Sequence, residues 1–522
     1  MAGFFSKKRE GSYFFLVKIP VILYIFFMKA RYLTMLALAA ASTAYAEIKT
    51  EKIYADHMVL QQGKQVPIYG SCDGKGKVTV EFNGQSVEAK VKNGKWKAVL
   101  APMTINAEGQ TLTIKQGKDE LVLNDVLVGE VWVASGQSNM LWRLNQTGDR
   151  NSLQEAETPL FRFYHSEPQV HTAPRAYDAK LQKILKDKEM YQGSWSSNTP
   201  QARQRMSAVG YYFGRELQKH LGNVPVAVVH ASLGGSEMMA WMPNSVLNKK
   251  YKECTTKRWL DSKYMSDWVR GRACQNIGKD LNAPHPYKPG YLFETGIEPW
   301  LDFPVAGVIW YQGESDAEIQ DEEQNAQLLT DMIKGWRKEF NHKDMPFLMV
   351  ELPRINDKSK LRAYWPEFRR VQRTVAATLP AVSSLTTIDL GSTNSDVHPP
   401  RKLEVGSRLA ALAAATVYGK NVPYSGPVVD TAQPKGNTLV LRYKFANGLK
   451  TTDGQAPQGF EVSANGKDYH PATATIEGET VVLNSDKVEK PTHARYGWYT
   501  FMNPNLVNAA GLPAAPYAPQ GK

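Results

Sequence analysis

The chain has 522 residues, 42% hydrophobic and 22% charged, with three cysteines and a formal net charge of +12. At about 150 residues per domain that length allows two to four domains, and the composition excludes disorder, collagen and a continuous coiled coil. Cys72, Cys254 and Cys274 are too few for a disulfide scaffold and lack the paired spacing of a zinc site, although Cys254 and Cys274 could bridge in an oxidising compartment.

From Met28 the chain reads as a secretory signal. Lys29 and Arg31 precede an apolar stretch through Ala41, and Ala44-Tyr45-Ala46 then offers a small-residue cleavage site. Cleavage is expected after Ala46, with Met28 as the true start. The earlier apolar stretch at 13–27 is interrupted by Lys18 and Pro20 and is too short for a spanning helix. The mature protein is therefore expected to be periplasmic or secreted, with no membrane attachment once the signal is removed. It carries 57 Lys and Arg against 50 Asp and Glu, a mild +7 spread along the chain. No nucleic-acid motif accompanies that charge, so a nucleic-acid partner is not expected.

Residues 47–124 contain runs such as SVEAKVKNGKWKAVL and TLTIKQG, which alternate apolar and polar residues between Gly, Asn and Asp. This is the pattern of a small all-β module, sandwich or jelly-roll in type. Near Val126 the pattern changes. EVWVA (130–134), VAVVH (226–230), VAGVIWY (305–311), FLMVEL (347–352) and LTTIDL (385–390) are nearly continuous apolar runs, as expected of strands buried on both faces. Helical stretches at 203–220, 324–340, 361–379 and 402–418 lie between or after them. The alternation predicts an α/β domain with a parallel sheet over 125–425, carrying an insertion at about 244–300. Past Gly426-Pro427 the runs TLVLRYKF, GFEVSAN and TVVLNS predict a second β module, 426–522.

Polar loops follow the apolar runs. Ser135-Gly136-Gln137-Ser138-Asn139 follows the first, Ser232-Leu233-Gly234-Gly235 the second, and Gln312-Gly313-Glu314-Ser315-Asp316 the third. Asp396-Val397-His398 comes shortly after the last. Open parallel sheets bind ligands at the carboxyl ends of their strands, where such loops gather. Together they supply the parts for acyl transfer by a serine. Ser138 is the nucleophile candidate and His398 the base that removes its proton. Asp396 is the nearest acid to orient the imidazole. Backbone N–H groups of Ser138 and Gly235 and the Gln312 side-chain amide are candidates for an oxyanion hole. Each residue taken singly also has an ordinary structural role, as a cap, a turn or a surface acid. The G-x-S-x-G elbow is absent because position 140 is Met, which disfavours an α/β-hydrolase. No metal or cofactor motif is present, and none is called for by this chemistry.

At these residues the sequence resembles the SGNH hydrolase superfamily, and within it the sialate O-acetylesterases. The likeness covers nearly all of the mature chain, through DHMVLQQGKQVPIYG (56–70), GEVWVASGQSNM (129–140), HASLGGSEMMAWMP (230–243), GVIWYQGESDAE (307–318), DVHPPRK (396–402) and YGWYTFMNPNLVNAAGLPAAPY (496–517). It implies an SGNH-type three-layer α/β/α domain with a parallel sheet, flanked by the all-β modules. It further implies Ser138 as nucleophile, His398 as base, Gly235 and Gln312 in the oxyanion hole, and Glu314 as a brace behind them. Many SGNH enzymes carry the aspartate three residues before the histidine. Here that position is Ser395, so either the Asp396 carboxylate or a nearby main-chain carbonyl is expected to orient His398.

The expected substrate is an O-acetylated sugar, with sialic acid first and acetylated xylan or another plant polysaccharide as the alternative. A catalytically inert carbohydrate-binding protein is the rival of a different class. Arg143, Trp241 and Trp310 are candidate substrate contacts because they lie near the catalytic loops in sequence. Core packing for the tryptophans and a surface salt bridge for Arg143 are the competing expectations.

Overall fold

The alternating N-terminal segment forms short strands: β1 (Ile48–Thr50), β2 (Val59–Gln61), β3 (Val66–Cys72), β4 (Lys77–Phe82), β5 (Gln85–Lys90), β6 (Lys95–Leu100) and β7 (Asn106–Gln116). A computed structural model describes residues 47–256, 258–280 and 282–519. The expected signal segment 28–46 and the apolar stretch 13–27 lie outside the described residues. Strands β1, β3 and β6 make one antiparallel sheet. The others join a larger sheet through β8 (Asp119–Gly136).

β8 explains the change of pattern near Val126. Its first part pairs antiparallel with β7 and alternates exposed and buried residues, while every residue from Val126 to Gly136 is buried. The second part runs parallel between β11 (Val226–Ser232) and β12 (Gly307–Tyr311). One strand therefore serves two environments, and the change of partners falls at about 128–130, a few residues past the expected division at 124/125.

The central order is β10-β9-β11-β8-β12-β13-β14, with β9 (Phe161–Pro168), β10 (Tyr191–Ser197), β13 (Phe347–Val350) and β14 (Val382–Leu385). Neighbours are parallel except β10, which closes one edge antiparallel to β9. β9 and β10 carry polar residues and had no apolar-run signature. The last strand also departs from expectation: it occupies 382–385, and 386–390 turns away. Thr387 Oγ1 donates to the Glu351 carbonyl and Leu390 N–H to the Thr387 carbonyl, so these groups are satisfied outside a ladder.

The helices that position the site are α1 (Ser138–Leu141), α2 (Ala208–Leu221), α3 (Asp267–Ile277), α4 (Glu322–Glu339), α5 (Trp365–Thr378) and α6 (Lys402–Thr416). Side chains of α2 and α6 share a core with Trp132, Ala134, Val228, Ile309, Tyr311, Leu348 and Val350. The intervening strand residues Trp310 and Phe347 pack instead against Trp336 of α4. Successive strand residues point to opposite faces, so burial on both faces makes the runs continuous rather than alternating.

The segment 244–300 contains α3 and several short helical turns. Cys254 and Cys274 are both free; Cys254 is buried, with Sγ 3.1 Å from Ser262 Oγ, and Cys274 is exposed. The C-terminal strands, from Val428 to Val507, build a separate core that includes Leu439, Leu441, Val481, Leu483 and Tyr496. The molecule is an α/β protein with additional β-rich sheets. Among the described residues no helix is long and apolar enough to cross a membrane.

Candidate active site

Ser138 owes its position to two local features. Gly136, at φ +139°, ends β8 where a Cβ atom would lie 2.1 Å from the Tyr311 carbonyl oxygen, so only glycine lets the chain turn beside β12. Ser138 then starts α1 and is partly exposed. As the first residue of a helix, its N–H has no intrahelical acceptor.

The second loop lies against this turn. A Cβ atom at Gly234 would be 3.5 Å from Ser138 Cβ. Tyr287 Oη donates to the Gly234 carbonyl at 2.7 Å, which fixes the 234–235 peptide plane. In a trans peptide the Gly235 N–H must then point the opposite way. Gly235 has φ +71°, and a Cβ there would be 2.2 Å from Trp268 Cη2, so its place is closed to side chains. Tyr287 and Trp268 both come from the 244–300 segment, whose role at the site is to brace this loop.

His398 is held by the Ser138 segment and by its own loop. Trp142, whose N–H bonds the Ser138 carbonyl, stacks on the imidazole with ring centroids 4.9 Å apart and planes at 21°. Asn139 Nδ2 donates to the Val397 carbonyl at 2.9 Å. Asp396 Oδ1 accepts from the His398 backbone N–H at 2.9 Å and lies 3.3 Å from His398 Nδ1. An Asx turn thus carries the carboxylate to the imidazole at a spacing of two residues. With Nδ1 facing Asp396, Nε2 is the nitrogen left for the serine. Burial, helped by Lys402, pulls the imidazole below its ordinary pKa, and Asp396 pulls it back up.

Behind these residues lies a buried charged relay. Asn139 Nδ2 also donates to Glu314 Oε1, and Lys402 Nζ donates to Asn139 Oδ1. Glu314 is 3% exposed and Lys402 1% exposed. Burial raises the Glu314 pKa and lowers that of Lys402 to about 7. Lys402 also sits 5.5 Å from the Tyr311 ring centroid. A side-chain amide thus joins a buried acid to a buried base, and the same amide ties Ser138's neighbour to the histidine loop. Glu314 is held by Asn139 behind the Ser138 turn.

Gln312 is a correction. Its Nε2 donates to the Ser236 carbonyl at 3.2 Å and to Asp316, so both amide hydrogens are taken and the side chain is buried. It supports the second loop from behind and has no hydrogen left for an oxyanion. Trp241 and Trp310 are corrections too. Both are buried, packed edge-to-face with centroids 6.0 Å apart, and Trp241 Nε1 donates to Ser236 Oγ. They are core rather than rim. Arg143 is ion-paired to Glu167.

The sequence motifs by themselves assign no role to Asn139, Trp142 and Lys402, although all lie in or beside them. The available signal was position: Asn139 and Trp142 follow the serine within one helical turn, and Lys402 follows His398 by four residues.

A family model described as carbohydrate esterase, sialic acid-specific acetylesterase matches residues 295–415. The sialate O-acetylesterase of Homo sapiens is 26% identical over 498 residues, covering 88% of this chain and 90% of that protein. The Mus musculus sialate O-acetylesterase is 25% identical over 497 residues, covering 85% and 88%. A crystal structure of a carbohydrate acetylesterase from Xanthomonas citri superposes with a TM-score of 0.75 at 31% identity, covering 91% of this chain and all of that one.

Proposed function

The chain belongs to the sialic acid-specific acetylesterase family of carbohydrate esterases, and from that membership we propose that it removes O-acetyl groups from sialic acids through an acetyl-enzyme on Ser138. It is a carboxylic ester hydrolase acting on an acetylated carbohydrate. The observation that carries the assignment of roles is the convergence of Ser138, Gly235 and His398: Trp142 and Asn139 of the Ser138 turn hold the histidine loop, and Gly234, beside Gly235, lies against Ser138.

His398 Nε2 takes the Ser138 hydroxyl proton as the oxygen attacks the acetyl carbonyl. The resulting oxyanion is met by the backbone N–H groups of Ser138 and Gly235, which stand ready without reorganisation. The imidazolium returns its proton to the departing sugar oxygen. Water then repeats the sequence to release acetate. Asp396 holds the imidazole tautomer and its developing charge. Glu314, Asn139 and Lys402 keep the serine and histidine loops in register.

The packing of α2 and α6 against one set of strand side chains and of α4 against the alternate set supports an SGNH-type three-layer arrangement. The β modules before and after it remain our division of the chain at about 47–124 and 426–522. Export by the 28–46 segment, to the periplasm or the exterior, is part of the same proposal.

The test is acetate release from 9-O-acetylated sialic acid and from acetylated xylan, side by side, by the purified protein and by Ser138→Ala. Release from the sialic acid that Ser138→Ala abolishes is the expected result. Release from xylan alone would move the substrate to plant polysaccharide, and release from neither would revive the carbohydrate-binding reading.

A further inference from the structure

The nucleophile loop shares a wall with a polar cleft of about 960 Å³, formed by β9, β10, the 199–205 segment and, from that loop, Arg143 and Asn145. Strand register places the Glu167 wall of this cleft relative to the serine. Ser232 pairs with Gly136, and His230 pairs with both Ala134 and His165. Glu167, two residues beyond His165, is therefore level with Ser232 and Gly136 in one row across β9, β11 and β8. Two strand spacings separate β9 from β8, about 10 Å. That is the reach of a nine-carbon acidic sugar from its chain end to its carboxylate.

The charge in the cleft is unbalanced. Glu167 accepts from Arg143 and lies 2.7 Å from His165 Nε2, so the one acidic side chain in the lining is fully engaged. Arg205 lines the same cleft, is exposed, and has no hydrogen-bond or ion-pair partner among the described residues. Its backbone is not loose. Met206 O accepts from Leu144 N at 2.9 Å and Gln204 O from Asn145 N at 3.3 Å, so residues on both sides of Arg205 are stitched to the nucleophile loop. The side-chain amides of Gln192 and Gln204 complete a wall suited to sugar hydroxyls.

We propose that this cleft is an acid-recognition subsite, in which the Arg205 guanidinium binds the carboxylate of a sugar whose acetylated chain end lies at Ser138. The inference rests on the sialate reading above. Arg143 does not fill this role because Glu167 already neutralises it. A planar guanidinium with no partner among the described residues matches a carboxylate in a two-point contact.

The test is calorimetric titration of N-acetylneuraminic acid and of its methyl ester into Ser138→Ala, alone and combined with Arg205→Gln or Arg143→Gln. The acid should bind about tenfold more tightly than the ester, and Arg205→Gln should bring that ratio close to one. Equal binding of acid and ester, no binding of the acid, or a preference that survives Arg205→Gln overturns the proposal. A preference lost only in Arg143→Gln overturns it as well. Acetate release by the unaltered enzyme is measured alongside. Release from the 9-O-acetylated acid without an Arg205-dependent preference sinks this inference alone. An Arg205-dependent preference without release supports the cleft and sinks the esterase reading.

Discussion

Asp396 presents the sharpest test of how His398 is oriented. Its carboxylate reaches Nδ1 at 3.3 Å, longer than a tight charge-assisted bond, and its side chain is 56% exposed. A hydrogen bond to a charged partner contributes about 1.5–3 kcal/mol, and solvent screening at such an exposed group places this one at the lower end, about 1–2 kcal/mol. As the imidazolium forms only during the reaction, that energy appears in the barrier, so removing the carboxylate should lower kcat/KM by about 5–30-fold. Asp396→Asn keeps an oxygen for the His398 backbone N–H and hence the turn, whereas Asp396→Ala loses both, so the difference between the two variants reads the turn alone. The pH profile gives a second readout. Asp396 raises the pKa of His398, and the base must be neutral to act, so its removal should move the acid limb of kcat/KM to lower pH. A loss of about 10⁴-fold would place Asp396 in a tight triad that this geometry does not provide. A loss under about twofold with an unmoved acid limb would hand the orienting role to a main-chain carbonyl.

Other perturbations test the rest of the site. Gly235→Ala forces a Cβ toward Trp268 at a left-handed φ, so kcat should fall by about 10²–10³ with KM little changed; normal kcat would remove the Gly235 N–H from the oxyanion hole. Lys402→Met removes one of the two cations, with Arg362, that act on buried Glu314 and leaves Asn139 Oδ1 without its donor, so it should lower stability in urea by about 1–3 kcal/mol, and adding Glu314→Gln should recover part of that loss. Additive losses in the double variant would break the proposed coupling. Burial pushes Asp316 up to about 7, above its unfolded value of about 3.9, so the folded state holds that proton more tightly. Stability from this group is present at low pH and is lost as pH rises from about 4 through 7, and Asp316→Asn should flatten that fall in thermal melts.

Much of this protein can be read from local sequence. Runs such as VAVVH and GVIWY are apolar at every position because they are covered on both faces, and that property needs no knowledge of their neighbours. The polar loops after them, with Ser138, Gly235 and the Asp396–His398 pair, are legible for the same reason: each motif is short and contiguous. Partner choice was not legible. Whether Gln312 faces an oxyanion or Asp316, whether Arg143 is free or held by Glu167, and which tryptophan meets His398 all depend on strands and loops distant in sequence. Trp241 and Trp142 differ little in local context, yet one is buried beneath the sheet's helices and the other lies on the imidazole. Periodicity encodes which face of an element is apolar; only the packing of elements against one another decides what that face, and each polar side chain beside it, finally touches.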